Sequence, residues 1–373
     1  MTEEILIYSN DTLFTFSKSE CSKRLGKPKE KLPTVRIPFA VSSVDSELYH
    51  HILDVSKDFN TVFVFKDAKI DQFINEIGNL STGYFMFLKN ICSCAVQMAD
   101  HKCVYNINRK VANGNEILTF ESGKQQQWLI IRGNGIALAM QVFDGKIVAC
   151  ESNESIYHCF LPTLDIAPYP FKINADFSTD PSRKHITQDS ITTEAIERIA
   201  LLIYETLEKA VEEENPMFSN LFDMITSVSS FNPINQKLTN SLENLIKNNL
   251  CLKCSDGKRK PISSFKTFPD HFENSEKNVM RLNSPSISEV SIDKSYYDVF
   301  PSIMAFVEKY SQAKFSFEEI AQTLTEKAFV ELLDSQMYAR IFAFVAASAR
   351  IAKITNKGNI LECVSKLIKR EKP

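Results

Sequence analysis

The sequence predicts a mixed α+β fold, because strand-like and helix-like runs occupy different parts of the chain. Short runs rich in Ile, Val and Phe recur through the first 160 residues, which is typical of strands. An apolar stripe at helical spacing follows at 193–213, and most of the remainder has a helical pattern. The chain has 373 residues, 44% of them hydrophobic and 24% charged, which suffices for two or three domains with cores of their own.

The first elements are two short strands at residues 5–8 and 13–16. Ser, Asn and Asp at 9–11 have the composition of a turn between them. The next stretch, 18–31, is rich in Lys and contains a Gly-Lys-Pro, so we expect a solvated loop there.

A strand and one or two helices are predicted next. The run Thr-Val-Phe-Val-Phe at 61–65 predicts a buried strand. Apolar residues at 71–80 have helical spacing, and residues 84–91 either continue that helix or form a second short one.

The middle of the chain, residues 92–160, has the pattern of a β meander. Asp144 and Gly145 predict a hairpin turn within it. Four prolines make 162–187 an irregular stretch, which ends at the long predicted helix. The predicted strands are 128–131, 136–143 and 156–161.

The last third is predicted to be mainly helical, with helices at 218–225 and 238–248. An Asp-Gly turn within 251–262 predicts a small hairpin between the helices. Ser316 and Glu319 have the spacing of a capping box, and their neighbours supply the hydrophobic staple.

Composition and charge argue against several function classes. The net charge is −3 and the pI about 6.1, so no overall positive field attracts nucleic acid or an anionic membrane. The basic clusters at 18–31 and 258–260 lack interleaved aromatic residues, so they do not predict a nucleic-acid-binding role. The apolar run 341–347 is much shorter than the ~20 residues that span a bilayer. We therefore expect no membrane association.

The cysteines and the first residues predict a cytoplasmic protein with reduced thiols. The chain begins Met-Thr-Glu-Glu, which is not the pattern of a secretory signal. Its nine cysteines lie mostly in apolar surroundings. Zinc binding is the alternative, but the spacing does not form two knuckles, and we expect no metal site. The residues considered for zinc are Cys92, Cys94, His101, Cys103, Cys251 and Cys254.

The stretch 157–186, YHCFLPTLDIAPYPFKINADFSTDPSRKHI, resembles a signature of the sacsin-like branch of the GHKL (histidine-kinase-like) ATPases. The similar residues are Phe-Leu-Pro-Thr at 160–163, Pro-Phe at 170–171, Asn-Ala-Asp-Phe at 174–177 and Ser-Arg at 182–183. Upstream, the runs at 61–65 and 84–91 look like a strand and a helix of the same family, whereas the similarity near both ends of the chain is weaker.

The motifs of the family's nucleotide site are absent from the sequence. A GHKL site uses an Asp-x-Gly-x-Gly for adenine and a Gly-rich lid around the phosphates, and no Asp-x-Gly-x-Gly occurs here. The strands at 5–16 resemble those that follow the lid in the family. The resemblance thus implies a truncated, split or degenerate relative, with ATP and magnesium held by a GHKL domain in trans.

The resemblance also implies roles for individual residues. In ninety-kilodalton heat-shock chaperones an Arg of the middle domain reaches the γ-phosphate of ATP, and Arg183 occupies the similar position. Lys172 and Lys184 would extend the same basic loop, and Gln188 would position a water or simply precede the helix. Asn174 and Asp176 are interpreted as loop-organising residues that accept backbone hydrogen bonds. The structural alternative for Arg183 is an ion pair with Asp176 or Asp180.

The resemblance implies three regions: remnant strands of a GHKL domain at 1–60, a transducer-like α/β sandwich at 61–215, and a mainly helical region at 216–373. It implies a chain that is inactive alone and that transmits the ATP state of a partner's GHKL domain to a client or effector protein. The alternative is a non-catalytic scaffold that keeps the fold and has lost the response to nucleotide.

Overall fold

The computed structural model describes residues 4–32, 37–41, 44–71, 74, 81–98, 101–112, 115–122, 124–226, 232–311 and 313–352. Over these residues the protein has a mixed α+β fold with several sheets, as predicted. The chain forms two compact units, Met1–Ser81 and Thr82–Pro373.

The first unit is built on a sheet in the order β3-β2-β1-β4. Its hairpin is confirmed: Asn10 and Asp11 both have positive φ, 49° and 57°, which fits the two-residue turn between β1 and β2. The elements are β1 (Glu4–Ser9), β2 (Thr12–Ser17), α1 (Lys18–Leu25), β3 (Phe39–Ala40), α2 (Ser46–Val55) and β4 (Thr61–Lys66), with a 3₁₀ turn at Lys29–Lys31.

The prediction of a solvated loop at 18–31 is wrong, because α1 occupies its first half. The Ser17 side chain accepts a hydrogen bond from the Glu20 backbone N–H and caps the helix. Gly26 ends the helix in the left-handed region, with φ 63°. The high Lys content of this stretch favours a loop prediction, although Ser17 and Gly26 are ordinary helix-cap residues.

Strand β4 belongs to the first unit, since it pairs with β1 along its whole length. The sequence predicts a boundary at 60, and the first compact unit of the structure extends to Ser81. The strand is also less buried than predicted: Phe63 and Phe65 are 57% and 50% exposed. Both pair with isoleucines of β1, so they share one apolar sheet face with Ile5 and Ile7.

The second unit contains a large sheet, nine-stranded in the described part of the chain, in the order β12-β11-β13-β9-β8-β7-β6-β5 with β10 paired to β9. Strands β11 and β13 are parallel and the other pairs antiparallel. Its strands are β5 (Ser93–Met98), β6 (His101–Ala112), β7 (Asn115–Ser122), β8 (Lys124–Arg132), β9 (Ile136–Phe143), β10 (Lys146–Val148), β11 (Ile156–Cys159), β12 (Leu161–Ile166) and β13 (Lys172–Ala175).

The predicted meander and its Asp144-Gly145 turn are confirmed, whereas the irregular stretch at 162–187 contains two strands. Strand β12 folds back on β11, and β13 inserts between β11 and β9. Partners distant in the sequence order this proline-rich stretch, which local composition cannot reveal.

The long predicted helix is confirmed as α3 (Ser190–Glu212). The Asp189 side chain caps it by accepting from the Thr192 N–H at 2.8 Å. Its apolar stripe packs on the inner face of the sheet, where Leu138, Met140 and Ile173 belong to the same buried cluster.

The helices beyond residue 215 share this core, since the buried cluster continues from Phe218 to Tyr310. The predicted boundary at 216 is therefore not a packing boundary. A second cluster runs from Phe268 to Val345. The elements are α4 (Leu221–Thr226), α5 (Pro233–Asn249), β14 (Cys251–Lys253), β15 (Arg259–Pro261), β16 (Lys266–Thr267), α6 (Asn274–Asn283), α7 (Pro285–Ser288), α8 (Ser295–Val299), α9 (Ile303–Tyr310), β17 (Ala313–Lys314), α10 (Phe317–Thr323), α11 (Lys327–Val330) and α12 (Ser335–Ala352), with 3₁₀ turns at Pro216–Phe218 and Ile262–Ser264.

Two local predictions in this region are confirmed. The small hairpin is β14 paired with β15, and the capping box of α10 is complete, with Ser316 and Glu319 each accepting a backbone hydrogen bond from the other. In the part of the chain that the structure describes, no helix is both long and apolar enough to cross a membrane.

The helix predicted at 84–91 is not formed. A 3₁₀ turn at Thr82–Tyr84 leads into further turns, and Arg109 of β6 donates to the backbone carbonyls of Phe85 and Leu88 at 3.1 and 3.0 Å. These carbonyls bond to a guanidinium in place of a helix ladder. The helix predicted at 71–80 lies almost entirely outside the described residues.

Candidate functional site

The loop between β13 and α3 carries most of the residues that the resemblance selects. An isolated bridge joins Thr179 to Ile186, and the Thr187 N–H donates to the Ser178 carbonyl at 2.8 Å. The loop is thus a narrow hairpin-like turn. Arg183 lies at its tip with φ 58°, in the left-handed region, and its backbone N–H donates to the Asp180 carbonyl at 2.9 Å.

The Asp180 carboxylate holds this turn from within. It accepts hydrogen bonds from the Ser182 hydroxyl at 2.5 Å and from the Lys184 and His185 backbone N–H groups at 2.9 and 3.2 Å. These bonds favour the ionised form, so the pKa of Asp180 is lowered, mainly by the Ser182 hydroxyl. The backbone around Arg183 is thereby fixed without any use of the arginine side chain.

A second carboxylate attaches the loop to the edge strand β12. Asp165 accepts from the Ile186 N–H at 2.6 Å, and its other oxygen lies 3.1 Å from His185 Nδ1. The Leu164 N–H donates to the Lys184 carbonyl at 2.8 Å. Residues 184–186 of the loop therefore run along β12 as a short additional strand segment.

The side chain of Arg183 takes no part in these hydrogen bonds. It is exposed, and among the described residues its guanidinium has no hydrogen bond or ion pair. The alternative ion pair with Asp180 is therefore not formed, because that carboxylate is occupied by the loop's own donors. Asp176 is also exposed and carries no hydrogen bond within the described residues.

Arg183 and Asp176 lie close enough to Cys159 to affect its ionisation. Burial raises the pKa of this thiol; the carboxylate of Asp176 raises it further and the guanidinium of Arg183 lowers it.

Asn174 and Lys172 lie on β13 and are buried. The Asn174 Oδ1 accepts from the Phe160 N–H at 2.8 Å, which supports the left-handed backbone of Phe160 (φ 62°) at the hairpin tip. Asn174 therefore accepts a backbone hydrogen bond, as interpreted, although at the neighbouring hairpin. Lys172 does not extend the basic loop: it donates to the Glu154 carbonyl at 2.8 Å, and burial lowers its pKa.

Lys184 and Gln188 are both exposed. Lys184 uses its backbone groups in the loop, which leaves its ammonium at the surface beside Arg183. Gln188 directly precedes the cap of α3 and borders a cavity of about 260 Å³ between the first turns of α3 and α5. The cavity is also lined by Asp189, Thr192, Thr193, Ile196, Pro233, Ile234 and Lys237.

The cysteines whose side chains the structure describes lie in no candidate metal centre. Within the described residues, no group of three or more His, Cys, Asp or Glu side chains could hold a metal ion. Cys254 is buried, and burial raises the pKa of its thiol to about 11. The side chains of His101 and Cys103 lie outside the described part of the chain.

One buried group was missed at the level of the sequence. His158 of β11 is fully buried, with its ring edge-on to Phe87 at 4.9 Å between centroids. Among the residues that the structure describes, neither ring nitrogen has a hydrogen-bond partner, and burial lowers the pKa of His158 to about 3. The strand pattern places this residue on the sheet face opposite Tyr157. No local sequence pattern indicates that its imidazole lacks hydrogen-bond partners among the described residues.

Comparisons with protein-family models, with curated proteins and with solved structures found no match for this chain.

Proposed function

We propose that this chain is the transducer portion of a sacsin-like, heat-shock-type GHKL ATPase, and that Arg183 senses the γ-phosphate of ATP bound by a partner's GHKL domain. The observation that carries the proposal is an exposed guanidinium, without a partner among the described residues, on a loop whose backbone is held by Asp180 and Asp165. Residue 183 also has a left-handed backbone, and non-glycine residues held in that region cluster at active sites and ligand clamps.

The chemistry of the guanidinium suits this task. It is planar, permanently charged and able to donate two parallel hydrogen bonds to phosphate oxygens. Positioned at a γ-phosphate, such a group stabilises the charge that develops during transfer. The bound nucleotide and its magnesium would supply the reactive phosphoryl group, and both would be held by the partner. This chain would contribute Arg183, with Lys184 beside it as a second positive charge.

The other parts of the fold receive roles in the same proposal. Strands β1–β4 correspond to the remnant GHKL strands, and the large sheet with α3 corresponds to the transducer-like sandwich. The cavity beside Gln188 lies directly after the loop along the chain, at the start of α3. A shift of the loop on nucleotide contact would therefore reach the helix that crosses the core, and through it the helices that share the core.

The test measures ATP hydrolysis by a separately purified sacsin-like GHKL domain, with and without added chain. A reading frame beside this one that ends in a Gly-rich GHKL lid would be the first source of such a domain. We expect no hydrolysis by the chain alone and a stimulated rate for the mixture. Arg183→Ala should abolish the stimulation, with a loss on the order of 10³-fold for an arginine-finger role. Arg183→Lys should restore little, because an ammonium cannot form the bidentate contact.

Lys184→Ala is the matched control, since it removes the adjacent exposed cation and leaves the backbone bonds of the loop in place. It should change the stimulated rate by only a few-fold. Equal stimulation by wild-type chain and Arg183→Ala would contradict the proposal. Binding of Mg-ATP to the isolated chain, measured by calorimetry and lost in Arg183→Ala, would contradict the requirement for a partner while retaining the role of the arginine.

A non-catalytic scaffold is the second candidate, and the exposed face of the first sheet favours it. Phe63 and Phe65 are about half exposed on a sheet face that they share with Ile5 and Ile7. Such a face suits a constitutive protein partner. Pull-downs with and without ATP separate the candidates, because a scaffold retains the same partners in both conditions.

A further inference from the structure

His185 follows Arg183 by two residues in the same loop, and all of its polar groups except one ring nitrogen are engaged. Its N–H donates to the Asp180 carboxylate at 3.2 Å, and its carbonyl accepts from the Asp180 N–H at 2.9 Å. Its Nδ1 lies 3.1 Å from an oxygen of Asp165. The other ring nitrogen, Nε2, has no hydrogen bond among the described residues, and the side chain is 58% exposed.

The carboxylate of Asp165 determines which ring nitrogen of His185 carries a proton. A carboxylate can only accept hydrogen bonds, so Nδ1 is the protonated nitrogen, and in the neutral ring the lone pair lies on Nε2. Asp165 is itself fixed, because its second oxygen accepts from the Ile186 N–H at 2.6 Å and its side chain is only 19% exposed. The imidazole thus has a free basic nitrogen and an orientation fixed by a carboxylate, which is the arrangement of a general base.

His185 lies close to any group that Arg183 binds. Two backbone steps of about 3.8 Å join residues 183 and 185, so their Cα atoms lie no more than about 7.6 Å apart. Both residues belong to the turn that Asp180 closes, since the Arg183 N–H donates to the Asp180 carbonyl at 2.9 Å. Both side chains are exposed. A γ-phosphate bound by the guanidinium would therefore lie near the imidazole.

We propose that His185 is the general base for the ATP hydrolysis that this chain stimulates. The inference rests on the proposed function, because it requires a γ-phosphate at Arg183. As a water oxygen attacks the γ-phosphorus, Nε2 takes one proton from that water. The bond from phosphorus to the bridging oxygen breaks, and ADP leaves with its electron pair. Inorganic phosphate and an imidazolium result, and Asp165 stabilises the imidazolium until its proton passes to solvent.

The pH dependence of the stimulated rate tests this role. That rate is the hydrolysis by a sacsin-like GHKL domain mixed with the chain, minus the hydrolysis by the domain alone at the same pH. A general base acts only when unprotonated, so the stimulated rate should rise with pH as His185 loses its proton, which NMR of its ring protons follows. The charged groups around the ring are Asp165 on β12, Asp180 within the loop, and the preceding Arg183 and Lys184. An imidazolium that merely binds phosphate gives the opposite slope.

Substitution and chemical rescue provide the second measurement. His185→Ala should lower the stimulated rate by about 10²–10⁴-fold, the usual contribution of a general base. Free imidazole should restore part of that rate in proportion to its unprotonated form, since the position is exposed. A misfolded loop cannot be rescued in this way. His271→Gln, at an exposed histidine outside the loop, should leave the rate unchanged.

Asp165 is a positioning residue in this proposal, and Asp165→Asn tests it. The amide can donate to Nδ1 and so move the proton to Nε2, which removes the basic lone pair from the exposed nitrogen. The stimulated rate should fall at least about tenfold, and the ring signals of His185 in NMR should change to those of the other tautomer.

The inference and the proposed function fail separately. A wild-type chain that stimulates no hydrolysis contradicts the proposed function and removes the role of His185 with it. Stimulation that Arg183→Ala abolishes and His185→Ala leaves intact overturns the general base alone. A stimulated rate that stays level or falls as the pH rises through the titration of His185 also overturns it.

Discussion

The buried imidazole of His158 makes a sharp prediction about stability. Both ring nitrogens lack hydrogen-bond partners in the described part of the chain, and the ring packs edge-on against Phe87 inside the second unit. His158→Phe keeps a planar ring in contact with Phe87 and removes two polar atoms that lost their water on folding. Because an unsatisfied buried polar group costs about 1–3 kcal/mol, the variant should be more stable than wild type at neutral pH by about 1 kcal/mol or more.

The pH dependence adds a second, independent signature. Burial lowers the pKa of His158 from 6.5 to about 3 in the folded protein, so between these values the unfolded chain binds the extra proton. Stability therefore falls as the pH decreases below about 6.5. The loss from this single group amounts to about 2 kcal/mol at pH 5 relative to neutral pH. His158→Phe should abolish this part of the acid loss.

Denaturant unfolding of wild type and variant at pH 7.5 and 5 measures both effects. His158→Leu, with a smaller side chain, checks for overpacking by the larger ring. His271→Gln, at an exposed histidine, should leave the acid loss as it is in wild type. If His158→Phe and His158→Leu both destabilise the protein at neutral pH and retain the full acid loss, the imidazole has partners and the reasoning is wrong.

Three further predictions concern contacts that the structure isolates well. Ser316→Ala should lower the free energy of unfolding by about 1 kcal/mol, whereas Ser302→Ala should change it little, because Ser302 precedes α9 without a side-chain cap; chemical denaturation measures both. Glu276→Ala should cost about 2 kcal/mol in the same assay, since this buried carboxylate accepts from the Glu273 N–H and from Arg340 Nε, 2.9 Å away on α12. Asp180→Ala should accelerate amide hydrogen exchange at Lys184 and His185 by roughly tenfold, as both N–H groups lose their acceptor.

The elements that were predictable from the sequence are those specified by neighbouring residues. The two hairpin turns depend on residues that tolerate positive φ, such as Asn10 and Gly145. Helix α3 depends on an apolar stripe of its own, and the capping box depends on Ser316 and Glu319 alone. In each case the determining contacts lie within four residues along the chain, which is the range that a local pattern reports.

The elements that were not predictable depend on distant partners. Strand β4 follows the predicted boundary at 60, yet it pairs with β1 of the first unit, and this pairing joins segments more than fifty residues apart. Residues 84–91 have helical spacing but form no helix, because Arg109 binds the backbone carbonyls of that segment. Strands β12 and β13 form in a proline-rich stretch because neighbouring strands supply their hydrogen bonds.

The site shows the same division. Residues 182 and 183 could be selected by resemblance to a motif, but the sequence does not show what holds them. Asp165, which attaches the loop to β12, lies 21 residues before Ile186, and the spacing of the two carries no signal. Lys172 belonged to the same motif stretch, yet strand β13 directs it to a buried position against the Glu154 carbonyl. Strand alternation decides which cations of a motif reach solvent.

The contrast between the backbone and the side chain of Arg183 bears on how such sites arise. A structural arginine uses its guanidinium to hold the loop, as Arg109 does for the carbonyls of Phe85 and Leu88. Around residue 183, Asp180 and Asp165 hold the loop instead, and the guanidinium has no partner among the described residues. Because Asp180 and Asp165 fix the turn, the identity of residue 183 is not required by the fold. Replacing it should therefore change what the loop binds while leaving the loop itself intact, which is the property expected of a residue kept for contact with another molecule.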